Sequence, residues 1–188
     1  ALLASIRKEF TANEIEIRVD ANGAFSPKNA LVKLSRLADL ELHSIEQPIA
    51  VGQLDEMAAL CEQTPLPIAL DEELIGVFDV AEKQALIQSV QPHYIILKPS
   101  FIGGFQGASE WIKIVNEHNI DWWVTSALES NIGLNAISQW TYTLHNTLPQ
   151  GLGTGSLFSN NIQSPLHVHH GKLMYNQEIK WDFNEDGQ

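Results

Sequence analysis

Four short apolar segments that each end on a charged residue constrain the fold of this chain more than any other feature. They cover residues 17–20, 42–46, 68–71 and 95–98, and they end on Asp20, Glu46, Asp71 and Lys98. Successive charged ends are 25 to 27 positions apart, about the length of one strand, one helix and two short loops. In a parallel (β/α) barrel all strands end on one face, so these four side chains are expected to converge there.

The remaining sequence extends this alternation of strand and helix. After a helix over residues 1–11, it predicts strands at 14–20, 42–46, 68–71, 94–98, 121–126 and 148–151, with a helix between each pair. Regular alternation of this kind predicts an α/β fold with a parallel sheet or barrel. Residues 1–155 are assigned to a partial TIM-type (β/α) barrel and residues 156–188 to a C-terminal extension with two short strands around Gly171.

Two helix starts are marked by local signals. Ser26 and Pro27 are typical of an N-cap and a first helical position. Asp79 with Glu82 has the spacing of a capping box, and the helix that follows is expected to bury the stripe Ala81, Ala85, Leu86 and Val90.

Length and composition limit the function. At 188 residues the chain is short for a complete (β/α)₈ barrel of about 250 residues, and six strands cannot close such a barrel. The net charge of −12 argues against a nucleic-acid partner, because phosphate backbones require clustered basic residues. The apolar runs are far shorter than the roughly 20 residues of a membrane span. A single cysteine, Cys61, fits a reducing, cytoplasmic compartment.

Three acidic residues at successive strand ends predict a metal site. Carboxylates held close together repel one another, and a cation removes that cost. Oxygen ligands with no cysteine and no well-placed histidine favour Mg²⁺, or Mn²⁺, over zinc. We therefore expect Asp20, Glu46 and Asp71 to bind this ion. The alternative is that the three acids form salt bridges within a barrel mouth.

Lys98 allows two interpretations. It could be an ion-pair partner of Asp71, or it could face a metal-bound carboxylate and act as an acid or base, or hold a developing anion. The histidines of the C-terminal extension, His167, His169 and His170, are interpreted as surface or packing residues rather than as metal ligands.

The motifs at the strand ends resemble a known family. Residues 18–22, 44–48, 69–72 and 97–99 are similar to the barrel motifs of the muconate-lactonizing group of the enolase superfamily. Residues 125–133 and 151–155 most resemble the o-succinylbenzoate synthases within that group.

This resemblance implies a fold and a reaction. The chain would be the C-terminal catalytic domain of an enolase-superfamily enzyme without its N-terminal capping domain and first strands. The reaction would be that of a Mg²⁺-dependent carbon–oxygen lyase of menaquinone biosynthesis. This lyase eliminates water in a syn fashion from a cyclohexadiene hydroxy-carboxylate through a metal-stabilised enediolate. The implied roles are metal binding by Asp20, Glu46 and Asp71, catalysis by Lys98, and substrate binding by Asn22, Ser126, Gly153 and Thr154.

One departure from the family pattern bears on activity. The family carries another catalytic lysine in a Lys-x-Lys motif on the strand before the strand of Asp20, and no such motif occurs here. The helical spacing of residues 3, 6 and 10 also predicts that the given chain opens inside a helix. We therefore expect this chain alone to be inactive, and the addition of upstream residues to restore activity.

Other functions remain open. An N-acylamino-acid racemase, a dipeptide epimerase and a cycloisomerase would use the same scaffold, although Gly153-Thr154-Gly155 stands where dipeptide epimerases have an Asp-x-Asp pair. A barrel fragment that performs no chemistry is the alternative from another class. A doubly wound nucleotide-binding module is disfavoured because no G-x-G-x-x-G follows a strand. The expected partner is a small-molecule carboxylate, and a homo-oligomer is compatible with the sequence.

Overall fold

The structure is a computed structural model that describes residues 1–182. Within this part the helices are α1 Leu2–Glu9, α2 Pro27–Ala38, α3 Leu54–Gln63, α4 Val80–Val90, α5 Gly104–Glu117 and α6 Asn131–Thr143. The strands are β1 Arg18–Asp20, β2 Ser44–Glu46, β3 Ile68–Leu70, β4 Tyr94–Leu97, β5 Asp121–Val124, β6 Leu166–His169 and β7 Lys172–Tyr175. Single 3₁₀ turns follow β3 at Glu72–Leu74 and β4 at Pro99–Phe101.

The first five strands form one sheet in the order β1-β2-β3-β4-β5. The pairs from β1 to β4 are parallel, as a helical crossover between successive strands requires. Their register sets Asp20 opposite Glu46 and Glu46 opposite Ala69. The α/β fold with a parallel sheet, expected from the spacing of the strand ends, is therefore confirmed.

The chain divides into two compact units. The first comprises Ala1–Ile96 and Ser109–Trp122, and the second comprises Leu97–Ala108 and the residues from Trp123 onward. Each unit has its own buried apolar side chains. Those of the first include Ile45, Met57, Ile68, Leu70, Ile87 and Ile95, and those of the second include Leu97, Ala108, Val124, Leu134 and Ile137. Burial of this kind stabilises each unit by removing apolar surface from water.

The predicted strand at residues 148–151 is wrong. Only Gly151 forms a bridge, an isolated parallel one with Thr125. Pro149 has no backbone N–H to donate, and the N–H of Val124 donates at 2.7 Å to the side-chain Oε1 of Gln150. A side chain thus takes the place of one main-chain partner, so the pairing does not extend into a strand.

The strand that ends at Asp20 is also shorter than predicted, because it begins only at Arg18. The carboxylate of Glu14 accepts hydrogen bonds from the backbone N–H and the hydroxyl of Thr11, at 2.9 and 2.8 Å. These contacts close a turn over residues 11–14, so the first residue of the predicted strand belongs to a turn.

The predicted helix starts agree with the structure. Pro27 is the first helical residue of α2 and Ser26 is its N-cap, although the Ser26 side chain makes no capping hydrogen bond. Asp79 caps α4, and its Oδ1 accepts from the N–H groups of Ala81 and Glu82 at 2.8 and 3.1 Å. The carboxylate therefore satisfies two donors that the first turn leaves unpaired.

The predicted buried stripe of α4 is partly wrong. Ala81 and Ala85 are exposed, whereas Lys83 and Ile87 are buried. These two buried residues are four positions apart and therefore share one helix face. The reason for the burial of Lys83 lies in α5, where Glu110 accepts a hydrogen bond from its ammonium at 2.7 Å.

Strands β6 and β7 form an antiparallel hairpin, as expected from the two short strands around Gly171. His170 and Gly171 have φ angles of 48° and 71°, the left-handed values that a two-residue hairpin turn requires at both positions. Among residues 1–182, we find no helix whose length and apolar character would let it cross a membrane.

Candidate metal centre

Three carboxylates meet at the ends of β2 and β3 in the first unit. Glu46 is the last residue of β2, Asp71 follows β3, and Glu72 begins the 3₁₀ turn after it. One carboxylate oxygen from each lies within 4.8 Å of the others, and this is the group that the described residues offer for a metal ion. Asp71 is 2% exposed, so it can present its charge in a largely dry surrounding.

The chemistry of these donors fits a hard divalent cation. All three are carboxylates, without thiolate or imidazole, which is the ligand type that Mg²⁺ and Mn²⁺ prefer. Three negative charges at this spacing repel one another strongly when they are partly withdrawn from water. A bound divalent ion would offset that repulsion, so Glu46, Asp71 and Glu72 could together hold one.

Asp20 lies beside this group but outside it. Its position at the end of β1, directly opposite Glu46 in the register, is the position that the strand spacing predicts. Its side chain is exposed, and Oδ1 accepts the backbone N–H of Asn22 at 2.7 Å. The structure thus brings Glu46 and Asp71 together as predicted, while metal binding by Asp20 stays a prediction.

Asn22 connects the turn after β1 with the turn after β3. Its φ of 45° places it in the left-handed region, which asparagine tolerates better than most residues. Its Nδ2 donates to Oε1 of Glu72 at 2.7 Å. The residue expected to bind substrate is therefore engaged with Glu72, and its contact with substrate stays a prediction.

Glu72 has no role in the sequence-based prediction. Its signal was the run of three consecutive acids, residues 71–73. Strand register identifies the first of these but does not tell which way the next two point.

Lys98 follows β4 directly and belongs to the second unit. It is half-buried, and its backbone carbonyl accepts the N–H of Phe101 at 2.8 Å in the 3₁₀ turn. Its location at a strand end agrees with the spacing of the sequence, and its catalytic role stays a prediction.

Glu129, also in the second unit, is a residue that received no role in the sequence analysis. Its carboxylate accepts hydrogen bonds from the hydroxyls of Ser100 at 2.5 Å and Ser126 at 2.8 Å, and from the N–H of Ala127 at 2.9 Å. Burial raises the pKa of the Glu129 carboxyl, but these hydrogen bonds together lower it by more, so the net pKa is below its ordinary value. The ionised form therefore joins the loop after β4 to the loop after β5.

The predicted substrate-binding residues of the second unit lie in different environments. Ser126 is buried, and its hydroxyl both donates to Glu129 and accepts the N–H of Leu128 at 2.8 Å. Gly153 is exposed, and a Cβ added there would meet Val168 at an ordinary 3.6 Å. Oγ1 of Thr154 is buried without a hydrogen-bond partner among residues 1–182. A buried hydroxyl in that state costs free energy that a polar ligand atom would recover.

Comparison with known proteins adds a family and several relatives. Residues 1–179 match the family model described as enolase C-terminal domain-like. The chain is 57% identical over 173 residues to an o-succinylbenzoate synthase from Desulfotalea psychrophila, which covers 92% of this chain and 47% of that protein. It is also 33% identical over 133 residues to an N-succinylamino acid racemase from Thermus thermophilus, covering 70% of this chain and 34% of that protein.

Solved structures agree with these sequence matches. The crystal structure of MenC from Desulfotalea psychrophila superposes with a TM-score of 0.89 at 56% identity, over 92% of this chain and 48% of that one. A muconate lactonizing enzyme from Pseudomonas putida has a TM-score of 0.81 at 24% identity, over 91% of this chain and 47% of that one, which shows a shared fold. The chain thus spans about half the length of these relatives, and the resemblance based on its strand-end motifs is confirmed.

Proposed function

This chain belongs to the enolase C-terminal domain-like family, and from that premise we propose that it carries the metal-binding part of an o-succinylbenzoate synthase-like dehydratase. The supporting observation is the 57% identity to such a synthase over 92% of the chain. The proposed reaction is the elimination of water from a cyclohexadiene hydroxy-carboxylate in menaquinone biosynthesis, within the cytoplasm. Because the chain spans about half of its relative, the activity is proposed for a protein that also contains the region absent from this sequence.

The metal site of this proposal is formed by Glu46 and Asp71 with Asp20 as the third ligand. When Mg²⁺ is bound at such a site, it makes the proton next to a coordinated carboxylate more acidic and stabilises the anion that forms. Two observations support this assignment: Asp71 is buried, and carboxylate oxygens of Glu46 and Asp71 lie within 4.8 Å of each other. The protein's part is to fix these ligands and to keep Glu72 oriented through Asn22.

Lys98 is the proposed catalytic residue of this chain. Its ammonium would hold the anionic substrate ring electrostatically, as a cation over a π-system, or move a proton as an acid or base. The sequence contains no Lys-x-Lys pair, so the second lysine of the family's mechanism would come from outside these residues. We therefore propose that this chain alone does not turn over.

The succinyl tail of the substrate is assigned to Ser126, Gly153 and Thr154. The unpaired buried hydroxyl of Thr154 supports this assignment, because a ligand oxygen could accept its proton. Gly153 is exposed and has no side chain of its own, which leaves its backbone open to a ligand. The proposed partner is thus a small-molecule carboxylate. The proposal also includes association of this chain into a homo-oligomer, which a measurement of its mass in solution would test.

Two experiments test this function. Mg²⁺ added to the isolated chain should raise its melting temperature, and Asp71→Asn should remove the effect. A chimera in which the N-terminal region of the Desulfotalea psychrophila synthase precedes this chain should dehydrate the cyclohexadiene substrate, and Lys98→Ala in that chimera should abolish turnover. A folded chimera that binds Mg²⁺ but forms no aromatic product would contradict the proposed reaction.

A racemase is the second candidate, favoured by the 33% identity to an N-succinylamino acid racemase. Both activities need an acidified proton next to a carboxylate, so the metal ligands do not discriminate between them. The same chimera incubated with an N-succinylamino acid would do so, since racemisation without dehydration would replace the first candidate with this one.

A further inference from the structure

The side chain of Gln47, the residue after Glu46, reaches across to the turn that carries Asp71. Its Oε1 lies 3.4 Å from the backbone nitrogens of both Asp71 and Glu73, which donate to it. Its Nε2 donates to Oε2 of Glu73 at 3.0 Å and to the carbonyl of Ile49 at 3.1 Å. Gln47 is 1% exposed, so all four contacts are withdrawn from water.

The backbone of Gln47 has an unusual conformation. Its φ of 37° lies in the left-handed region, which costs a non-glycine residue free energy and persists only where the surroundings enforce it. The conformation turns the chain directly after Glu46, and the side-chain contacts of Gln47 hold it there. Strain of this kind next to a ligand is typical of functional sites.

Glu73 completes the contact from the other side. It is 8% exposed, and both of its oxygens are used, because Oε2 accepts from Gln47 and Oε1 accepts the N–H of Gly52 at 2.7 Å. A buried carboxylate is stable only when it is hydrogen-bonded in this way. Glu73 therefore faces Gln47 and Gly52, whereas its neighbours Asp71 and Glu72 contribute to the acidic group.

From these contacts we propose that Gln47 and Glu73 are positioning residues that set the distance between Glu46 and Asp71 for a divalent cation. The inference rests on the proposed metal site and deepens it. Gln47 directly follows Glu46 in the chain, and its side chain accepts the backbone N–H of Asp71. A shift of the turn after β2 or of the turn after β3 would therefore change the distance between the Glu46 and Asp71 carboxylates. Outer residues of this type typically change metal affinity about 10- to 100-fold when they are altered.

The contact allows a swap experiment. Gln47→Glu places two carboxylates face to face, and Glu73→Gln removes one acceptor from the pair. The double variant Gln47→Glu with Glu73→Gln keeps the net charge. It retains acceptors for the N–H groups of residues 71, 73 and 52, and it restores an amide-to-carboxylate hydrogen bond in the opposite direction. Only the donor to Ile49 is lost.

The measurement is Mn²⁺ affinity of the full chain, by electron paramagnetic resonance with Mg²⁺ competition, below the melting temperature of each variant. Each single variant should bind Mn²⁺ about tenfold or more weakly, and the double variant should recover most of the loss. Gln53→Glu is the matched control, because it adds the same charge at a side chain whose Nε2 donates to the Ala50 carbonyl at 2.9 Å rather than to the turn after β3. This variant should bind Mn²⁺ like the wild type.

The outcomes separate this inference from the function on which it rests. If the wild-type chain does not bind Mn²⁺, the proposed metal site and the positioning role both fail. If the wild type binds and the folded single variants bind equally well, the positioning role alone is wrong. If a single variant does not fold, the double variant decides, because recovery of its melting temperature without recovery of Mn²⁺ affinity would also overturn the inference.

Discussion

The ammonium of Lys83 lies 2.7 Å from Oε2 of Glu110, and the side chain of Lys83 is 1% exposed whereas that of Glu110 is 31% exposed. The Lys83 nitrogen is also 5.6 Å from the ring centre of Trp111. The pair thus joins α4 to α5 in the first unit by one buried charge and one that still reaches water. Its two members should therefore respond differently to substitution.

Glu110→Ala should destabilise the chain more than Lys83→Met. Removal of Glu110 leaves a buried ammonium without its carboxylate, which typically costs about 3–5 kcal/mol. Methionine at position 83 keeps much of the lysine volume without the charge, and the remaining Glu110 can be hydrated. Urea unfolding monitored by circular dichroism measures both free energies. Equal losses of unfolding free energy, or a larger loss for Lys83→Met, would contradict the claim that the buried Lys83 needs Glu110 more than Glu110 needs Lys83.

The third ligand of the metal site can be identified by substitution. Asp20→Asn should remove most of the rise in melting temperature produced by Mg²⁺, and Glu72→Gln should reduce it by a smaller amount, because its oxygen lies within the acidic group. Saturation at 100 times Kd would stabilise the wild type by about 2.7 kcal/mol. Glu16→Gln, which removes a charge paired with Arg18, is the control and should not change the effect.

A different ranking would correct the site. If Glu72→Gln abolishes the Mg²⁺ effect and Asp20→Asn leaves it intact, Glu72 is the third ligand and the prediction for Asp20 is wrong.

Acidification should destabilise the chain through His93. Burial lowers the pKa of His93 below its ordinary value near 6.5, and its Nδ1 accepts the N–H of Ile68 at 3.2 Å. In the interval just below pH 6.5 the unfolded chain therefore binds this proton more readily, so stability falls as the pH drops through that interval. His93→Asn keeps an acceptor without the titration, and its melting temperature should depend less on pH. An unchanged pH dependence would contradict this role.

Gly151→Ala should destabilise the chain by about 1–3 kcal/mol through overpacking. A Cβ at this position would lie 2.8 Å from Cβ of Thr125, and closer still to its hydroxyl oxygen. Gly153→Ala is the matched control, since the added carbon would lie 3.6 Å from Val168, and its effect should stay within about 0.5 kcal/mol. Thermal or urea unfolding of the two variants compares them, and similar stabilities would argue against the close approach at Thr125.

The parallel sheet could be predicted because its signal is local. Each strand end is a short apolar run followed by a charged residue, and the spacing from Asp20 to Glu46 and Asp71 fixes their common edge. The predictions failed where a residue distant in the sequence determines the local structure. The burial of Lys83 depends on Glu110, 27 positions away, and the strand at 148–151 is interrupted because the Gln150 side chain accepts from Val124.

The candidate site shows the same limit. Register alone indicated Glu46 and Asp71, and the structure brings these two together. The orientations of Glu72 and Glu73 could not be predicted. The side-chain amide of Asn22 orients Glu72, and that of Gln47 orients Glu73. These donors come from two different loops, and no spacing rule in the sequence connects them with the acids.

The short turn at Glu72–Leu74 has a consequence for engineering. A 3₁₀ helix advances about 120° per residue, so neighbouring side chains in this stretch point in sharply different directions and serve different contacts. Inserting or deleting one residue there would turn the side chains that follow within Glu72–Leu74 by about 120° and so exchange their contacts, whereas replacing one amino acid would disturb only that residue's own contacts. A mutant library directed at this loop should therefore vary identity and keep length constant.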